Sequence, residues 1–544
     1  MFTILLLAAC APIQIPTSDV TPTPTSPPAP SPEVRASGSE VSPTPTATPT
    51  IFPLPEGGAI VVGVAGDMNL DVNAMTPFLR DAIFDSLVRP NPLTGALERG
   101  LAESFQVSPD ALSMTFRLQQ GIQWHNGDAL TADDVAATLN AFASPDFRGV
   151  PVTDFGTFVK ATALDDRTVQ LTFRETNCPA LTGIATLKIL PRAVANSLNF
   201  PRLKPEQLMG TGPLKIAARG DDQFVLTRNS SYYLGQPPIE SWTLKFYPNA
   251  AALRSAFAAK QIDVMATAPG EYGAIKNLAG ATFLRAAAPE YIALVFNTDT
   301  VALNDGRVRQ ALNYALDRNL LLEDLGGQAL PVDSSALPTF WANDPNPPRY
   351  SFDLAKAKEI LAGAGWRASG DGVLRKDGRA MSLQLWTEAD DPILEPLAFR
   401  LREMYAALGI QVELQLDDRP GVLTRAFQHR FDLLLIRRKL PLDPDQRWYW
   451  QSDQNAKGSG FNIGSYSNPR VDALFKETLR VNACDPSGRA ALFGEINRNL
   501  VIDPPAVFMF APLRYLVTRD RVFNAAPSAF AGDFWNLKDW RVRP

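Results

Sequence analysis

A strand–turn–helix unit in residues 114–142 is the local pattern that most restricts the fold of this chain. Residues 114–118 alternate between apolar and polar side chains, which indicates a strand with one buried face. Asn126-Gly127 predicts a turn, because glycine adopts a positive φ without steric cost. Thr131 predicts the N-cap of a helix whose apolar residues recur at spacings of three and four along 135–142. Taken alone, most units of this kind are scaffold.

Length and composition exclude several classes of function. At 544 residues, the chain is long enough for two or three lobes with substantial cores. A formal net charge of -5 argues against a general nucleic-acid binder. Two histidines and three cysteines are too few to predict a His/Cys metal cage, and we predict neither a metal nor a cofactor.

The N-terminal part is typical of a membrane-targeting segment followed by a spacer. Residues 1–10 end in the lipobox L-A-A-C, so we predict a lipoprotein signal peptide and lipidation of Cys10. Residues 11–57 are rich in Pro, Thr and Ser and predict an extended tether that forms no core. No Lys or Arg precedes Arg35, although a signal peptide normally begins with a basic stretch. The alternatives are a start upstream of Met1, or a signal fragment with an incidental cysteine.

Apolar periodicity predicts several further elements. Residues 59–64 predict a buried strand, and residues 82–88 predict the end of an amphipathic helix. Residues 307–318 predict one helix that buries Val308 and Leu312 and places Arg309 at its surface.

Short motifs occur along the chain in the order found in one protein family. W-H-N-G-D-A-L-T-A-D-D-V at 124–135 resembles the signature W/F-H-D-G-x-x-L-T-A-x-D-V, and G-T-G-P-L at 210–214 resembles a G-T-G-P-Y turn. R-V-R-Q-A-L-N-Y-A-L-D-R at 307–318 is among the most specific matches. Shorter matches lie at 101–105, 115–118, 225–229, 353–366, 408–412, 461–472 and 503–507. By these motifs the chain resembles the extracytoplasmic solute-binding proteins of family 5, which serve ABC importers of peptides, nickel and related solutes.

The resemblance implies an α/β fold, a bilobal clamp of the periplasmic-binding-protein type II class with an additional lobe. We expect lobe I at 58–91, 205–300 and 515–544, lobe II at 92–204, and lobe III at 301–514. Two lobes would close about a hinge and enclose the ligand. The implied protein is a monomeric substrate-binding lipoprotein that captures a peptide or another small solute outside the cytoplasmic membrane. It would pass that solute to the transmembrane subunits of an ABC permease and catalyse no reaction.

A cationic triplet, Arg437-Arg438-Lys439, follows the matching strand, and its first two residues replace the Gly-Trp of peptide-binding members of the family. Those members place an aspartate after the strand to pair with the peptide's α-ammonium, and no such aspartate is evident here. The triplet would repel an ammonium and attract carboxylate, phosphate or sulfate, which argues against an ordinary peptide with a free N-terminus. The alternative is a solvated loop, or pairing of the triplet with Asp432, Asp443 and Asp445.

Aromatic side chains supply much of the enclosing surface in such clefts. Trp386, Trp448 and Tyr449 follow or flank matched strands and are candidates for ligand contact, although core packing is the commoner role for any one of them. Asn462 is a candidate polar contact, with a turn cap as the alternative.

Other chemistry-bearing residues favour a structural interpretation. His125 beside Asp128 lies in a turn that belongs to the family motif, so a structural role is a better account than a general base. Cys178 and Cys484 fall in different predicted lobes, and we expect two isolated thiols rather than a disulfide.

Two rivals to an importer subunit come from other classes of protein. The first is a surface receptor that senses a solute or adheres. The second is an extracytoplasmic hydrolase that works through Asp443 and Asp445, for which the chain offers neither G-x-S-x-G nor H-E-x-x-H.

Overall fold

The computed structural model describes residues 56–71, 74–147, 157–197, 203–344 and 346–543. The predicted signal segment, Cys10 and nearly all of the predicted tether lie outside the described residues. Within them, no helix combines the length and the apolar character that crossing a membrane requires.

The described chain alternates between strands and helices. The helices are α1 (Pro77–Ile83), α2 (Ala132–Phe142), α3 (Pro179–Thr186), α4 (Arg192–Ala195), α5 (Ala250–Ala258), α6 (Tyr272–Ile275), α7 (Gly306–Tyr314), α8 (Arg318–Asp324), α9 (Leu354–Gly363), α10 (Leu394–Ala406), α11 (Arg419–Phe427), α12 (Arg447–Trp450), α13 (Pro469–Thr478) and α14 (Pro486–Ile502). The strands are β1 (Ala59–Ala65), β2 (Val88–Pro90), β3 (Leu97–Arg99), β4 (Ala102–Val107), β5 (Ser113–Leu118), β6 (Phe158–Asp165), β7 (Thr168–Phe173), β8 (Leu214–Arg219), β9 (Gln223–Arg228), β10 (Ser241–Tyr247), β11 (Val264–Ala266), β12 (Ala281–Ala287), β13 (Glu290–Phe296), β14 (Ala329–Pro331), β15 (Arg367–Ala368), β16 (Leu374–Lys376), β17 (Arg379–Ala380), β18 (Ser382–Glu388), β19 (Gln411–Asp417), β20 (Leu433–Lys439), β21 (Ala506–Arg519), β22 (Val522–Phe523) and β23 (Arg541–Val542).

A twelve-stranded mixed sheet runs through most of the protein in the order β19-β18-β20-β13-β21-β11-β1-β10-β9-β8, with β12 and β14 also paired to β21. The 14-residue strand β21 joins its two halves. The first part of β21 pairs with β13, and its last part pairs with β11 and β12. The predicted lobes I and III therefore share one continuous sheet, and their exact boundaries stay a prediction.

A separate four-stranded antiparallel sheet, β4-β5-β7-β6, contains the strand of the predicted strand–turn–helix unit. Met114, Phe116 and Leu118 are buried, as the alternation predicts. Thr131 is the N-cap of α2 and forms a capping box with Asp134, in which the Thr131 N–H donates to the carboxylate at 3.0 Å. The strand–turn–helix prediction is confirmed.

The predicted helix end at 82–88 is wrong. Helix α1 ends at Ile83, and Phe84 is extended, with φ -121° and ψ 142°. The reason is long-range: the Ile83 carbonyl accepts from the N–H of Gly212 at 2.9 Å, and the carbonyl of Ser86 accepts from Leu101. Carbonyls that bond distant segments cannot continue a helical ladder.

The surface position predicted for Arg309 is also wrong. Its side chain is 5% exposed, donates to the carbonyls of Leu303 at 2.6 Å and Pro504 at 2.8 Å, and pairs with Asp503. The arginine satisfies backbone groups where two loops cover α7.

The single helix predicted over 307–318 is divided into two helices: α7 ends at Tyr314, and α8 begins at Arg318, after its N-cap Asp317.

The two isolated thiols expected at Cys178 and Cys484 are a disulfide, with Cα atoms 5.3 Å apart. The bridge joins the residue before α3 to the turn before α14. The N–H of Ala483 also donates to the Pro109 carbonyl at 3.2 Å, so this turn packs against the region predicted as lobe II. A separation of 306 residues hides such a contact from local sequence patterns.

Candidate ligand-binding cleft

A cavity of about 170 Å³ lies beside the turn that connects β12 to β13, and we call it the hinge cavity. Its position follows from strand pairing, because the N–H of Leu440 donates to the Pro289 carbonyl at 2.9 Å and extends the β13–β20 ladder beyond β20. The opposite wall is the turn at 528–532, closed by paired N–H and carbonyl groups of Ser528 and Gly532. The described residues that line the cavity are Arg80, Pro289, Leu337, Phe340, Leu440, Pro441, Leu442, Arg514, Ala529, Phe530, Ala531 and Gly532.

The hinge cavity combines apolar walls with two guanidinium groups. Arg514 pairs with Asp533 and donates to the Ser528 carbonyl at 2.7 Å, and burial lowers the pKa of Arg514 to about 10. Arg80 pairs with Asp81 at 3.1 Å, and this charge raises the pKa of Arg80. A mostly apolar enclosure with a few polar groups is the usual design of a small-molecule site.

A second, more polar cavity of about 100 Å³ shares Ala531 with the hinge cavity. In it, Lys188 pairs with Asp81 at 3.1 Å. Asp85 accepts hydrogen bonds from Thr211 at 3.0 Å and Tyr232 at 3.2 Å, and burial raises the pKa of its carboxyl. The shared wall places a polar chamber beside the apolar one.

The cationic triplet does not act as a unit. Arg437 pairs with Glu290 at 2.7 Å and with Asp391 at 2.9 Å, neither of which is a predicted partner. Lys439 is exposed at the end of β20. Arg438 is 6% exposed, and its guanidinium carbon lies 4.4 Å from the centre of the Tyr449 ring.

The three aspartates proposed as partners of the triplet have other partners. Asp443 pairs with Arg489 at 2.7 Å, and Asp445 pairs with Arg447 at 3.2 Å. Asp432 accepts from Thr300 at 2.8 Å and from the N–H of Gln384 at 2.8 Å. The pairing alternative stated from sequence is therefore wrong in its partners, although Arg437 is indeed ion-paired.

The candidate tryptophans lie outside the described walls of both cavities. Trp386 is 8% exposed, and the guanidinium carbon of Arg425 lies 3.8 Å from its ring centre. Trp448 is 38% exposed, and the guanidinium carbon of Arg447 lies 4.8 Å from its ring centre. A ligand contact by either ring stays a prediction, and for Trp386 it would require Arg425 to move.

Asn462 is 1% exposed and braces a turn. Its amide donates to the carbonyls of Gln451 at 2.9 Å and Tyr466 at 2.8 Å, and its oxygen accepts from the Tyr466 N–H at 3.1 Å. This geometry matches the turn-cap alternative. A contact between Asn462 and ligand would cost these bonds.

His125 connects its turn to the 210–214 turn. Its Nε2 lies 3.1 Å from the Gly212 carbonyl, and its Nδ1 accepts from the Gly210 N–H at 3.4 Å. Burial lowers the pKa of His125 to about 4. Both ring nitrogens serve the backbone, which supports the structural role rather than the general base.

Comparison with known proteins identifies the family of this chain. The family model for bacterial extracellular solute-binding proteins, family 5, matches residues 96–459. The chain belongs to this family. The oligopeptide-binding protein AppA of Bacillus subtilis is 25% identical over 509 residues, which cover 89% of this chain and 92% of AppA. The predicted fold, a bilobal type II clamp with an additional lobe, is confirmed.

Solved structures of similar proteins have the same fold. This family-5 chain aligns with HbpA2 of Haemophilus parasuis with a TM-score of 0.77 at 21% identity, covering 90% of this chain and 100% of HbpA2. NikZ of Campylobacter jejuni, solved with Ni(L-His), aligns with a TM-score of 0.69 at 24% identity, covering 89% of this chain and 99% of NikZ.

Sequence reasoning missed the residues that line the hinge cavity. Leu440 and Pro441 directly follow the predicted triplet, but apolar side chains carry no chemical signature that would mark them as ligand contacts. Phe340 and Phe530 lie 190 positions apart in the sequence, and their rings stack with centres 5.4 Å apart. Neither phenylalanine belongs to a recognisable motif. The small residues at 528–532 could have predicted a turn, but not the cavity that this turn closes.

Proposed function

We propose that this protein is the substrate-binding subunit of an ABC importer, and that its ligand occupies the hinge cavity. The observation that carries the proposal is the position of the cavity. Its walls come from the predicted lobe I, through Arg80 and residues 529–532, and from the predicted lobe III, through Leu337, Phe340 and Leu440. A ligand that contacts both lobes stabilises whichever state brings them together.

Closure would act through the strands that connect the two halves of the large sheet. The β12–β13 connection and β21 run side by side, with the N–H of Ala288 donating to the Pro512 carbonyl at 2.8 Å. A few residues at such crossings absorb the rotation in a hinge motion. The closed form would then be the one that the transmembrane permease subunits recognise.

The remaining features of the proposal concern the cell surface. Lipidation of Cys10 would anchor the protein to the outer face of the cytoplasmic membrane, with residues 11–57 as spacer. We propose that it acts as a monomer and catalyses no reaction. Its ligand is a peptide or another small solute; AppA of Bacillus subtilis is solved with a nonapeptide and NikZ with Ni(L-His), which defines the first panel to test.

The test is native mass spectrometry of the full chain, followed by thermal-shift measurements with a nonapeptide, nickel–histidine, monocarboxylates and sugars. We expect a bound mass that is lost on denaturation, or at least one compound that raises Tm. Ala529→Trp, which fills the hinge cavity, should abolish that effect. Ala251→Trp on the exposed face of α5 is the matched control and should leave it intact. Binding that survives Ala529→Trp would move the ligand elsewhere and contradict the proposal.

A further inference from the structure

Arg438 is a buried arginine whose guanidinium faces aromatic rings rather than carboxylates. Its side chain is 6% exposed, and within the described part of the chain neither Nε nor Nη2 has a hydrogen-bond partner. Tyr449 lies 4.4 Å and Trp450 6.0 Å from its guanidinium carbon. Among the described residues, no carboxylate lies within ion-pair distance of it.

Other buried or partly buried arginines of the protein have the partners that Arg438 lacks. Arg309 donates to three carbonyls and pairs with Asp503, Arg437 has two carboxylate partners, and Arg489 pairs with Asp443. An uncompensated buried charge is strongly destabilising, and cation–π contacts offset part of that cost. The free N–H groups of Arg438 therefore suit an acceptor that arrives with a ligand.

Strand geometry places the backbone of Arg438 close to the hinge cavity, although Arg438 is not one of the residues that line it. Side chains at i and i+2 of a strand point to the same face, so Arg438 shares a face with Leu440, which lines the cavity. On the neighbouring strand, Tyr291 is directly opposite Arg438, and Pro289 lines the cavity two residues earlier. The Cα atoms of Arg438 and Leu440 are therefore two residues apart along the strand, roughly 7 Å.

We propose that Arg438 is the anion anchor of the hinge cavity and that the ligand carries a carboxylate on an apolar body. This rests on the proposed function, because it assumes that ligand occupies this cavity. Nε and Nη2 of Arg438 are closed off from solvent behind the Tyr449 ring, so the carboxylate would reach them only when that ring moves aside, and would then bind in the bidentate geometry that a guanidinium prefers. Leu337, Phe340 and Leu440 would cover the apolar part. A free organic acid and the C-terminus of a peptide supply the same group.

The test compares head groups on one apolar chain. Full-length protein with Cys10→Ser is titrated calorimetrically with hexanoate, hexan-1-ol and hexylamine, and with acetyl-trileucine as free acid and as amide. We expect each acid to bind about 10- to 100-fold more tightly than its neutral partner, the gain of a charge-assisted hydrogen bond. Preference for hexanoate over the peptide acid would identify a free acid as the ligand class, and the reverse a peptide C-terminus.

Variants separate binding of the acid by Arg438 from a general effect of the protein's positive charge. Arg438→Gln should remove the preference for acids, and Arg438→Lys should retain part of it and guard against misfolding of the glutamine variant. Arg430→Gln, which removes an exposed arginine, is the control and should change nothing. Equal affinity for acid, alcohol and amine in the parent protein, or an unchanged preference in Arg438→Gln, would overturn the anchor. If another class of solute binds the hinge cavity in that case, the importer proposal stands; if Ala529→Trp also leaves all binding unchanged, both fail.

Discussion

Arg489 and Asp443 form a bidentate ion pair that is almost sealed from water. Their nitrogen and oxygen atoms are 2.7 and 2.8 Å apart, and the side chains are 5% and 3% exposed. Thr182 donates to the same carboxylate at 3.1 Å, so the pair links α3 to α14. A carboxylate with both oxygens committed in this way is a poor catalyst, which argues against the hydrolase alternative.

Asp443→Asn should destabilise the protein strongly. The substitution leaves Arg489 buried without its counter-charge, and breaking a buried pair from one side costs about 3–5 kcal/mol. Urea unfolding followed by circular dichroism measures the change. Glu495→Gln, which breaks the exposed pair with Arg470, is the matched control and should cost less than about 1 kcal/mol. Equal effects of the two substitutions would contradict the importance of burial.

Removing the disulfide should also lower stability. The Cys178–Cys484 bridge closes a loop of 306 residues, and losing such a bridge typically costs about 2–5 kcal/mol. We expect a lower Tm for the double variant Cys178→Ser/Cys484→Ser, and the same loss when the parent protein is reduced with dithiothreitol. The double variant itself should not respond to dithiothreitol. A parent protein whose Tm ignores the reductant would show that the bridge is absent or does not contribute.

Local patterns predicted the local structure well. The alternation at 114–118 and the Thr131 cap were confirmed because strand faces and helix caps depend on neighbours within a few residues. Arg309 was misplaced because loops at 303–304 and 503–504 cover it, and nothing near 309 reveals them. The disulfide was missed for the same reason.

The candidate site was predicted less well than the fold. A run of three cations suggested one functional unit, but β20 sends neighbouring side chains to opposite faces, so Arg437 and Arg438 have different surroundings. The hinge cavity is assembled from segments more than 400 residues apart in the chain, from Arg80 to Gly532, and its apolar lining carries no chemical signature.

Gly210→Ala should be severe, because the residue sits against another segment. A Cβ at this position would lie 1.8 Å from the Ile83 carbonyl oxygen, a backbone atom that cannot shift as cheaply as the end of a side chain. We expect a loss of about 3 kcal/mol or more, or failure to fold, from this overpacking. Gly273→Ala in α6 meets nothing within 4 Å and should be neutral or slightly stabilising. Chemical unfolding of both variants measures the contrast; a mild Gly210→Ala would contradict the close approach.

His125 should make the protein less stable in acid. Burial and Lys215 hold its pKa at about 4, below the ordinary value of 6.5, so the unfolded chain binds the proton more readily than the folded one. Its contribution is complete above pH 6.5 and declines by up to about 3 kcal/mol as the pH falls to 4. His125→Gln should remove this slope from the pH dependence of the unfolding free energy. A variant whose profile stays parallel to that of the parent would rule out the effect.

Asp445 should act in the opposite direction over nearly the same range. Burial raises its pKa to about 6, with Asp443 adding to the shift and Arg447 and Arg489 opposing it. The folded state then binds the proton more tightly than the unfolded chain, so stability falls by up to about 3 kcal/mol as the pH rises from 4 to 6.

The two groups therefore offset each other in the parent protein, and single variants should separate them. Asp445→Asn keeps an oxygen that can accept from the Arg447 N–H, as Asp445 does at 3.1 Å, and removes the charge. We expect it to gain stability relative to the parent as the pH rises from 4 to 6, whereas His125→Gln should gain as the pH falls. Urea unfolding at pH 4, 5, 6 and 7 measures both differences. Slopes of the same sign would show that burial does not set both pKa values in the way this structure indicates.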